Sequence, residues 1–316
     1  MPAKDESAVT AFVLYGCQAF FIVIANSLVL WLIRRKRRLR TTTNFMLASL
    51  AASDLLTGLL AIPMVIACST TEITDLCVAM DILNRFLAFS SVGHLMLLSI
   101  DRYIRVTKLL QYPSIVTEDR VGWMLASVWV FALVASMVQL VWILSFLENN
   151  MSEATLIRID IGYLIFCLAT VVVLPLLLMT MIYTKIFVNL RRQSHEIHSE
   201  LSSEQSSDRI NVGRRRLNEK KIASLFIAMI AVFISGLFFY FLWGLMDDLE
   251  VKALHSISQN AMNNITIAIL FFRFLTALCN PLLCTFIKQD FLEALRSLGG
   301  GVRHSRSSRS TNVTSM

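Results

Sequence analysis

The chain has 316 residues, of which 56% are hydrophobic and only 16% are charged, and its mean hydropathy is +0.64. Soluble domains carry roughly a quarter charged residues, so this composition excludes an ordinary soluble protein and indicates an integral membrane protein. The net charge of +7 does not indicate a nucleic-acid partner, because membrane proteins retain excess Lys and Arg on their cytosolic side.

Seven windows are long and apolar enough to cross a membrane, since a hydrocarbon core of about 30 Å takes about 20 helical residues. They must be helices, because backbone polar groups find no hydrogen-bonding partner in lipid. We therefore predict an all-α integral membrane bundle of seven transmembrane helices. The predicted spans are approximately 11–33, 45–68, 78–100, 121–144, 161–184, 222–246 and 264–287.

Polar segments lie at both ends of the chain and between the fifth and sixth predicted spans. Residues 1–10 form a short N-terminal segment, and residues from about 190 to 220 read as a flexible loop. Residues 289–298 predict a short amphipathic helix on the membrane surface, with Phe291, Leu292, Leu295 and Leu298 on one face. Residues 299–316 predict a disordered basic tail that either carries phosphorylation sites or is simply solvated.

The loops predict the orientation in the membrane. One side holds 24 Lys and Arg residues and the other side holds 3. Because Lys and Arg are retained in the cytoplasm, the N-terminus is expected outside and the C-terminus inside. The predicted location is the plasma membrane, with multiple passes through the bilayer.

Four charged side chains fall within the predicted spans: Asp54, Asp81, Arg85 and Arg273. A charge at bilayer depth costs several kcal/mol unless it is partnered, so each marks a candidate functional position. Asp54 lies at a similar depth to four other polar residues. These are Asn26, Ser91, Thr276 and Asn280. The five could surround a small cation, or they could form a polar network that only packs the helices together.

The other three charges lie in the third and seventh predicted spans. Asp81 and Arg85 are spaced i, i+4 and can pair on one helix face. Arg273 has no such neighbour, so it must reach Asp81, a loop acid such as Asp160, or a ligand. An anionic ligand group would suit it if it stays unpaired.

The run SIDRYIRV at the end of the third span carries Asp101, Arg102 and Tyr103. Other landmarks fall in register with it across roughly residues 10–298. They are Asn26, Asp54, Trp129, Pro175, Tyr183, Asn280, Pro281 and Phe291. Together these motifs resemble rhodopsin-like G-protein-coupled receptors. The runs VLPLLLMTMIYTKIF and LLQYPSIVT look most similar to adenosine and melanocortin receptors within that family.

The resemblance implies an extracellular ligand and an intracellular heterotrimeric G protein, with receptor kinase and arrestin as further partners of the tail. The coupling and switch residues that it implies are Asp101, Arg102, Tyr103, Tyr183, Glu219, Asn280 and Pro281. It also implies a sodium ion held by Asp54, Ser91, Thr276 and Asn280. No other cofactor is expected, and retinal is excluded because the seventh span has no Lys.

The implied ligand pocket comprises Asn84, Arg85, Ala88, Phe241, Gly244, Arg273 and Phe274. Asn84 stands where amine receptors carry an Asp, which argues against biogenic amines. Arg85 and Arg273 favour a small anionic molecule, while a neutral lipid, a nucleoside or a peptide remains open.

The sequence departs from the family pattern at three positions. Leu237 and Phe239 stand where the family usually has Trp and Pro, and Cys284 stands where it usually has Tyr. Without the Pro, the sixth span lacks the residue that creates a helix kink. The alternative interpretation is therefore a divergent, non-coupling or decoy member of the family.

Two further sites lie on the predicted outer side. Cys77 stands where the family places a disulfide cysteine, but the loop at about 145–160 has no Cys. Cys77 could instead pair with Cys68, or both could remain free thiols. Asn150 begins the sequon Asn-Met-Ser and is a candidate glycosylation site.

Other membrane-protein classes fit less well. A transporter would show internal repeats and broken spans, and none is visible. An enzyme would need a catalytic constellation, yet the sequence has neither HExxH nor GxSxG. We therefore expect no enzymatic activity.

Overall fold

A computed structural model describes residues 2–71, 73–148, 150–200, 224, 227–228, 231–232, 236–246, 249, 258–287 and 289–299. The described part of the chain is all helix and connecting turns, without a strand. The helices in chain order are α1 (Pro2–Arg35), α2 (Thr42–Leu56), α3 (Ile62–Thr71), α4 (Thr74–Thr107), α5 (Tyr112–Ile115), α6 (Glu118–Met137), α7 (Leu140–Leu147), α8 (Glu153–Cys167), α9 (Leu174–Glu200), α10 (Gly236–Met246), α11 (Gln259–Ile287) and α12 (Gln289–Gly299).

These helices form an all-α membrane bundle. Within the described residues, six continuous helical segments are long and apolar enough to cross a bilayer, and α10 is a shorter apolar helix. The six segments are Val9–Arg35, Thr42–Thr71, Thr74–Thr107, Glu118–Leu147, Glu153–Asn189 and Asn260–Pro281. Of the predicted sixth span at 222–246, only α10 and a few separate residues are described.

Two of these segments contain a wide turn beside a proline. A π turn at Thr57–Ala61 joins α2 to α3, and a second at Leu168–Val173 joins α8 to α9. Pro63 and Pro175 are each the second residue after the turn. Proline has no backbone N–H and crowds the preceding turn, so the wider turn lets each span continue past it.

Helix α4 lies at the centre of the bundle and packs against α2, α6 and α9. Its buried apolar residues, such as Leu95 and Leu98, belong to the largest core cluster of the described chain. Many large apolar side chains on the outer helices are exposed, including Phe12, Trp123 and Phe166. Contiguous exposed apolar surface of this kind matches a lipid environment.

Helices α1 and α11 are joined by side chains that donate to backbone carbonyls. The Tyr15 hydroxyl donates to the carbonyl of Ile267 at 3.0 Å, and Gln18 Nε2 donates to that of Phe271 at 3.0 Å. Asn26 Nδ2 donates to the carbonyl of Ala277 at 3.1 Å. Asn26 therefore fixes α1 against α11, and among the described residues it makes no hydrogen bond to Asp54.

Two glycines allow close helix contacts. A Cβ at Gly93 of α4 would lie 2.6 Å from Val128 Cγ1 of α6, closer than side chains pack. A Cβ at Gly236 of α10 would lie 3.1 Å from the carbonyl oxygen of Phe272 in α11. Both helix pairs approach closely because these positions lack a side chain.

A disulfide joins the ends of α3 and α4. Cys68 and Cys77 are bonded, with their Cα atoms 5.1 Å apart. Of the two possibilities that the sequence left open, the structure has the bridge. It fixes the adjacent ends of the second and third spans to each other.

One face of helix α12 packs against α1. Phe291 is fully buried there and Ala294 is buried beside it, in a cluster with Val29 and Leu32 of α1. Leu295 packs against the same cluster. The side chain of Leu298, predicted on this face, lies outside the described side chains.

Candidate functional site

A largely buried polar cluster lies near the Cys77 end of α4, with the partly exposed Asp81 at its centre. Arg85 Nη2 is 2.8 Å from Asp81 Oδ2, so the i, i+4 pair is formed. The same carboxylate accepts a hydrogen bond from Gln139 Nε2 at 3.1 Å and another from the Tyr240 hydroxyl at 3.1 Å. Asp81 therefore joins the third span to the fourth and to α10.

Arg273 adds α11 to this cluster without pairing to an acid. Its Nη2 donates to the backbone carbonyl of Asn84. Its guanidinium carbon lies 4.9 Å from the centre of the Tyr240 ring and 5.4 Å from that of Phe274, within cation–π range. Among the described residues no acidic side chain lies within salt-bridge distance of Arg273, although the sequence allowed Asp81 or Asp160 as partners.

The cluster has hydrogen-bond donors to spare. Within the described part of the chain, Arg85 Nε, Arg85 Nη1 and Arg273 Nε are buried and have no hydrogen-bond partner. The Asp81 carboxylate, in contrast, already accepts three donors. The Asp160 carboxylate accepts a hydrogen bond from Trp142 Nε1 at 2.6 Å. Within the same described residues, Asn84 Oδ1 and Gln139 Oε1 are buried acceptors without a partner. The unused charged groups of the cluster are therefore cationic, and its unused acceptors are neutral amide oxygens.

The predicted pocket residues divide between this cluster and the apolar core. Asn84, Arg85 and Arg273 belong to the cluster. Phe241 is buried in the core and stacks on Phe89 at 6.5 Å, and Gly244 faces Leu164. Ala88 lines a small cavity beside Asp54, deeper in the bundle.

Phe274, the remaining predicted pocket residue, lies mainly against α1. Phe274 is fully buried against α1, where its ring meets that of Tyr15 edge-on at 6.0 Å. It belongs to a cluster of Tyr15, Ile22, Ile62, Val65, Phe274 and Ala277. It meets the polar cluster through the face of its ring, 5.4 Å from the guanidinium carbon of Arg273.

Sequence reasoning missed three members of the cluster, namely Gln139, Tyr163 and Tyr240. Arg85 lies 5.1 Å from the centre of the Tyr163 ring, and the Tyr163 hydroxyl donates to the carbonyl of Ala135 at 2.9 Å. The available signal for them is a polar side chain in an otherwise apolar span.

A small cavity lies next to Asp54, midway along the bundle. Its volume is about 20 Å³, and its polar lining consists of Asp54, Thr57, Ser91, Thr276 and the cationic Arg273. Asp54 is buried and accepts a hydrogen bond from Asn280 Nδ2 at 2.9 Å. The structure thus brings together all four residues of the predicted sodium site.

The oxygen atoms around this cavity suit a hard cation. Asp54 offers a carboxylate, and Ser91, Thr57 and Thr276 offer hydroxyl oxygens. The Thr57 hydroxyl donates to the carbonyl of Ser53, and the Thr276 hydroxyl donates to that of Arg273. The Ser91 hydroxyl lies 3.4 Å from that of Ser53. Their lone pairs remain available, and a volume of about 20 Å³ accommodates one water-sized occupant.

A second polar network surrounds Asp101 at the opposite end of α4. The Tyr112 hydroxyl donates to Asp101 Oδ1 at 2.5 Å, and the Thr43 hydroxyl donates to Asp101 Oδ2 at 2.9 Å. Arg105 Nη2 donates to both the Tyr112 and the Thr43 oxygens, at 2.7 and 2.9 Å. Arg102 Nε is 3.8 Å from Asp101 Oδ2. Asp101 and Arg102 are both buried.

The remaining predicted switch residues are only partly described. Tyr183 is buried in the core, while Tyr103 is partly buried beside it. Pro281 lies inside α11, next to Asn280. Glu219 lies outside the described residues, and so does the side chain of Cys284.

With this geometry established, comparison with known proteins decides the family. A family model for 7 transmembrane receptors (rhodopsin family) matches residues 25–283. The chain belongs to the rhodopsin family of seven-transmembrane receptors. It is a multi-pass membrane receptor and not an enzyme.

Relatives of the receptor carry amine names. The 5-hydroxytryptamine receptor 1D of Cavia porcellus is 31% identical over 172 residues, 52% of this chain and 45% of that receptor. Dopamine receptor 2 of Drosophila melanogaster is 31% identical over 175 residues, 54% of this chain and 32% of that receptor. The human trace amine-associated receptor 9 is 28% identical over 320 residues, 96% of this chain and 89% of that receptor.

Two facts qualify these matches. The receptor spans less than half the length of the first two relatives it matches. The expected similarity to adenosine and melanocortin receptors is not supported, since these relatives are receptors named for amines. Short apolar runs such as VLPLLLMTMIYTKIF carry little subfamily information because any lipid-facing helix selects the same residues.

Proposed function

We propose that this receptor binds an extracellular ligand at the Asp81 cluster and activates a heterotrimeric G protein at the Arg102 end. One observation supports this most strongly: α4 carries both polar networks, 20 residues apart from Asp81 to Asp101. At 1.5 Å per residue, that separation is about 30 Å, the thickness of the hydrocarbon core. One network therefore lies near each face of the membrane.

The loop charges support an orientation with the Arg102 end in the cytoplasm. In that orientation the Cys68–Cys77 bridge lies on the oxidising side, where disulfides persist. Asn150, which is exposed, is then available for glycosylation. The N-terminus is outside, and the tail after Gly299 is inside, within reach of receptor kinase and arrestin.

The ligand class that suits the cluster is a small molecule with a carboxylate or another compact anion. Arg85 and Arg273 retain buried donors without a partner among the described residues, whereas the Asp81 carboxylate already accepts three donors. Arg is the side chain best shaped to bind a carboxylate through two hydrogen bonds. The amine names of the relatives support a cationic ligand instead, with Asp81 as its partner, so both classes belong in the test.

The cavity beside Asp54 is our proposed sodium site. Asp54, Ser91, Thr276 and Asn280 would surround the ion, with Asn280 orienting the carboxylate. A bound cation would offset the cost of burying the Asp54 charge. Ligand and ion would then influence one another by favouring different states of the same bundle.

At the inner end, we propose that Arg102 is the switch. Asp101 and Glu219, which lies outside the described residues, would restrain it in the resting state. Tyr183 and the G protein would receive it in the active state. Receptor activity then reflects a two-state equilibrium that ligand and G protein both bias.

The alternative is a member of the family that does not couple. Leu237 is buried and lines the Asp54 cavity, while Phe239 is 52% exposed on the outer surface of α10. Helix α10 runs unbroken from Gly236 to Met246. Leu237 and Phe239, which stand where the family usually has Trp and Pro, thus lie in a regular helix. If this helix pivots during activation, the pivot does not come from a proline kink.

The experiment is G-protein nucleotide exchange in membranes that contain the full-length receptor. Carboxylates, amines, zwitterionic amino acids, nucleosides, lipids and peptides are applied in turn. Exchange that rises with carboxylates and depends on Arg102 supports both parts of the proposal. A response to amines alone would overturn the ligand class, and no exchange with surface-exposed protein would favour the non-coupling alternative.

Matched variants separate these outcomes. Arg102→Ala should change exchange without changing ligand binding. Arg273→Gln should lower the affinity for a carboxylate ligand by about tenfold or more, because a charge-assisted hydrogen bond is lost. Arg158→Gln is the control, since Arg158 is an exposed cation on the same end of the bundle.

A further inference from the structure

A dense run of basic residues follows the first span directly. Six of the seven residues in Arg34–Arg40 are basic, and the run reads RRKRRLR. Retention of a loop in the cytoplasm needs only a modest excess of Lys and Arg, so this density calls for a second explanation. The simplest explanation would be a flexible loop whose charges are solvated.

The backbone of this run is fixed in place. Helix α1 ends at Arg35, and a 3-10 turn follows over Arg37–Leu39. Leu39 is only 1% exposed and packs in the cluster with Phe291 of α12. Asn44 Nδ2 donates to the carbonyl of Leu39 at 2.8 Å. Arg40 Nη2 donates to the carbonyl of Arg34 at 2.7 Å, closing the loop on itself.

The neighbouring acids are already neutralised. Arg38 lies 2.7 Å from Glu293 and 3.9 Å from Asp290, both on α12. Among the described residues, no carboxylate lies within salt-bridge distance of the other five cations of the run. Arg40 donates to the carbonyl of Arg34. We call the remaining four, Arg34, Arg35, Lys36 and Arg37, the basic corner.

The basic corner lies at the depth of lipid headgroups. Trp31, one turn before it, is 47% exposed on the outside of α1, and Trp favours the membrane–water interface. On the other side of the loop, the amphipathic helix α12 packs against the bundle. Three of the four cations are exposed, and Lys36 is half-buried.

We propose that the basic corner binds the headgroup of a phosphoinositide in the inner leaflet. Four cations on a fixed backbone fit a headgroup with several phosphates better than they fit one phosphodiester, because Arg binds phosphate oxygens in pairs. Clusters of 4–8 Lys and Arg directly beside a transmembrane helix are typical of such sites. The proposal rests on the orientation given above, but it requires neither a ligand nor G-protein coupling.

The test is native mass spectrometry of the full-length receptor in detergent micelles. The probes are dioleoyl phosphatidylinositol 4,5-bisphosphate, dioleoyl phosphatidylinositol, dioleoyl phosphatidylserine and soluble inositol 1,4,5-trisphosphate. We expect the bisphosphate lipid to bind at least tenfold more tightly than phosphatidylserine. The triple variant Arg35→Gln/Lys36→Gln/Arg37→Gln should remove that preference, since each cation contributes several-fold.

The matched control is Lys108→Gln/Lys185→Gln/Arg192→Gln, which removes three exposed cations elsewhere on the same side. It should leave the preference unchanged. The test triple keeps Arg34, Arg38 and Arg40, so the loop contacts and the topology signal remain. Arg37→Gln alone provides a milder variant if the triple unfolds, and it should weaken binding at least twofold.

Three results would overturn the proposal. One is equal binding of phosphatidylserine, which would reduce the site to general attraction of anionic lipid. Another is equal loss in the control triple. The third is binding of inositol 1,4,5-trisphosphate as tight as that of the lipid, which would assign the basic corner to a free inositol phosphate. A tail found outside the cell by antibody labelling would refute the orientation separately.

Discussion

The Tyr112 hydroxyl donates a 2.5 Å hydrogen bond to the carboxylate of Asp101, the residue next to Arg102. Tyr112 begins the short helix α5 in the loop after α4, so this bond ties the loop to the proposed switch. The Thr43 hydroxyl, from α2, binds the other oxygen of the same carboxylate. Asp101 is therefore held in position by two neighbouring segments.

Loss of the Tyr112 bond should favour the active state. We expect Tyr112→Phe to raise basal nucleotide exchange by up to tenfold, because a hydrogen bond to a charged group contributes about 1.5 kcal/mol. Thr43→Val should act in the same direction. Thr42→Val is the control, since the Thr42 hydroxyl lies 3.3 Å from the Tyr112 oxygen and makes no bond to Asp101 among the described contacts. Unchanged exchange in Tyr112→Phe at normal surface expression would refute this role.

The Asp81–Arg85 pair should matter for stability because of what remains when it is broken. Asp81→Asn leaves the Arg85 guanidinium, 10% exposed, without its charge partner. We expect a loss of about 2 kcal/mol, less than for a fully buried pair because Asp81 is partly exposed. The melting temperature of the purified receptor measures it.

A second variant tests the cause of that loss. Asp81→Asn/Arg85→Met removes the orphaned charge and should recover part of the stability. Asp75→Asn, an exposed acid at the start of α4, is the control and should change little. If the double variant melts below the single variant, uncompensated charge is not the reason for the loss.

How far the sequence predicts this site depends on the kind of contact. Asp81 and Arg85 share one helix face by their spacing, so their pairing could be read directly. The Asp54–Asn280 bond could be expected because both residues are polar at a similar membrane depth. In each case a strong polar group had few alternatives within an apolar span.

Other contacts give no such signal. The acceptor of Arg273 is a backbone carbonyl, at Asn84, and every residue has one. Phe274 follows Arg273 directly and therefore points about 100° away from it around the helix. Because a helix that is apolar on most sides has a rotation that its sequence poorly defines, the sequence does not show that Phe274 faces α1. Gln139 and Tyr240 reach Asp81 from other helices, which depends on the packing of the whole bundle.

The disulfide gives a prediction that needs no ligand. Mass spectrometry of the unfolded receptor, alkylated without reductant, should leave Cys68 and Cys77 unmodified and label the free thiols, which include Cys17, Cys167 and Cys279. Cys68→Ser/Cys77→Ser should lower the free energy of unfolding by about 2–3 kcal/mol. Cys17→Ser, an exposed thiol, is the control. Labelling of Cys68 or Cys77 before reduction would contradict the bridge.

The contact between Gly93 and Val128 predicts a rescue. In Gly93→Ala, the new methyl group would lie 2.6 Å from Val128 Cγ1, and a β-branched side chain in a helix has little freedom to move aside. We expect a loss of about 1–3 kcal/mol, as for other overpacked cores. Gly93→Ala/Val128→Ala makes room for that methyl group and should melt closer to the wild type than Gly93→Ala does. Gly122→Ala is the control, because a Cβ there meets nothing within 4 Å and should be neutral or slightly stabilising. If the double variant shows only the sum of the two single losses, α4 and α6 do not depend on this glycine for their close approach.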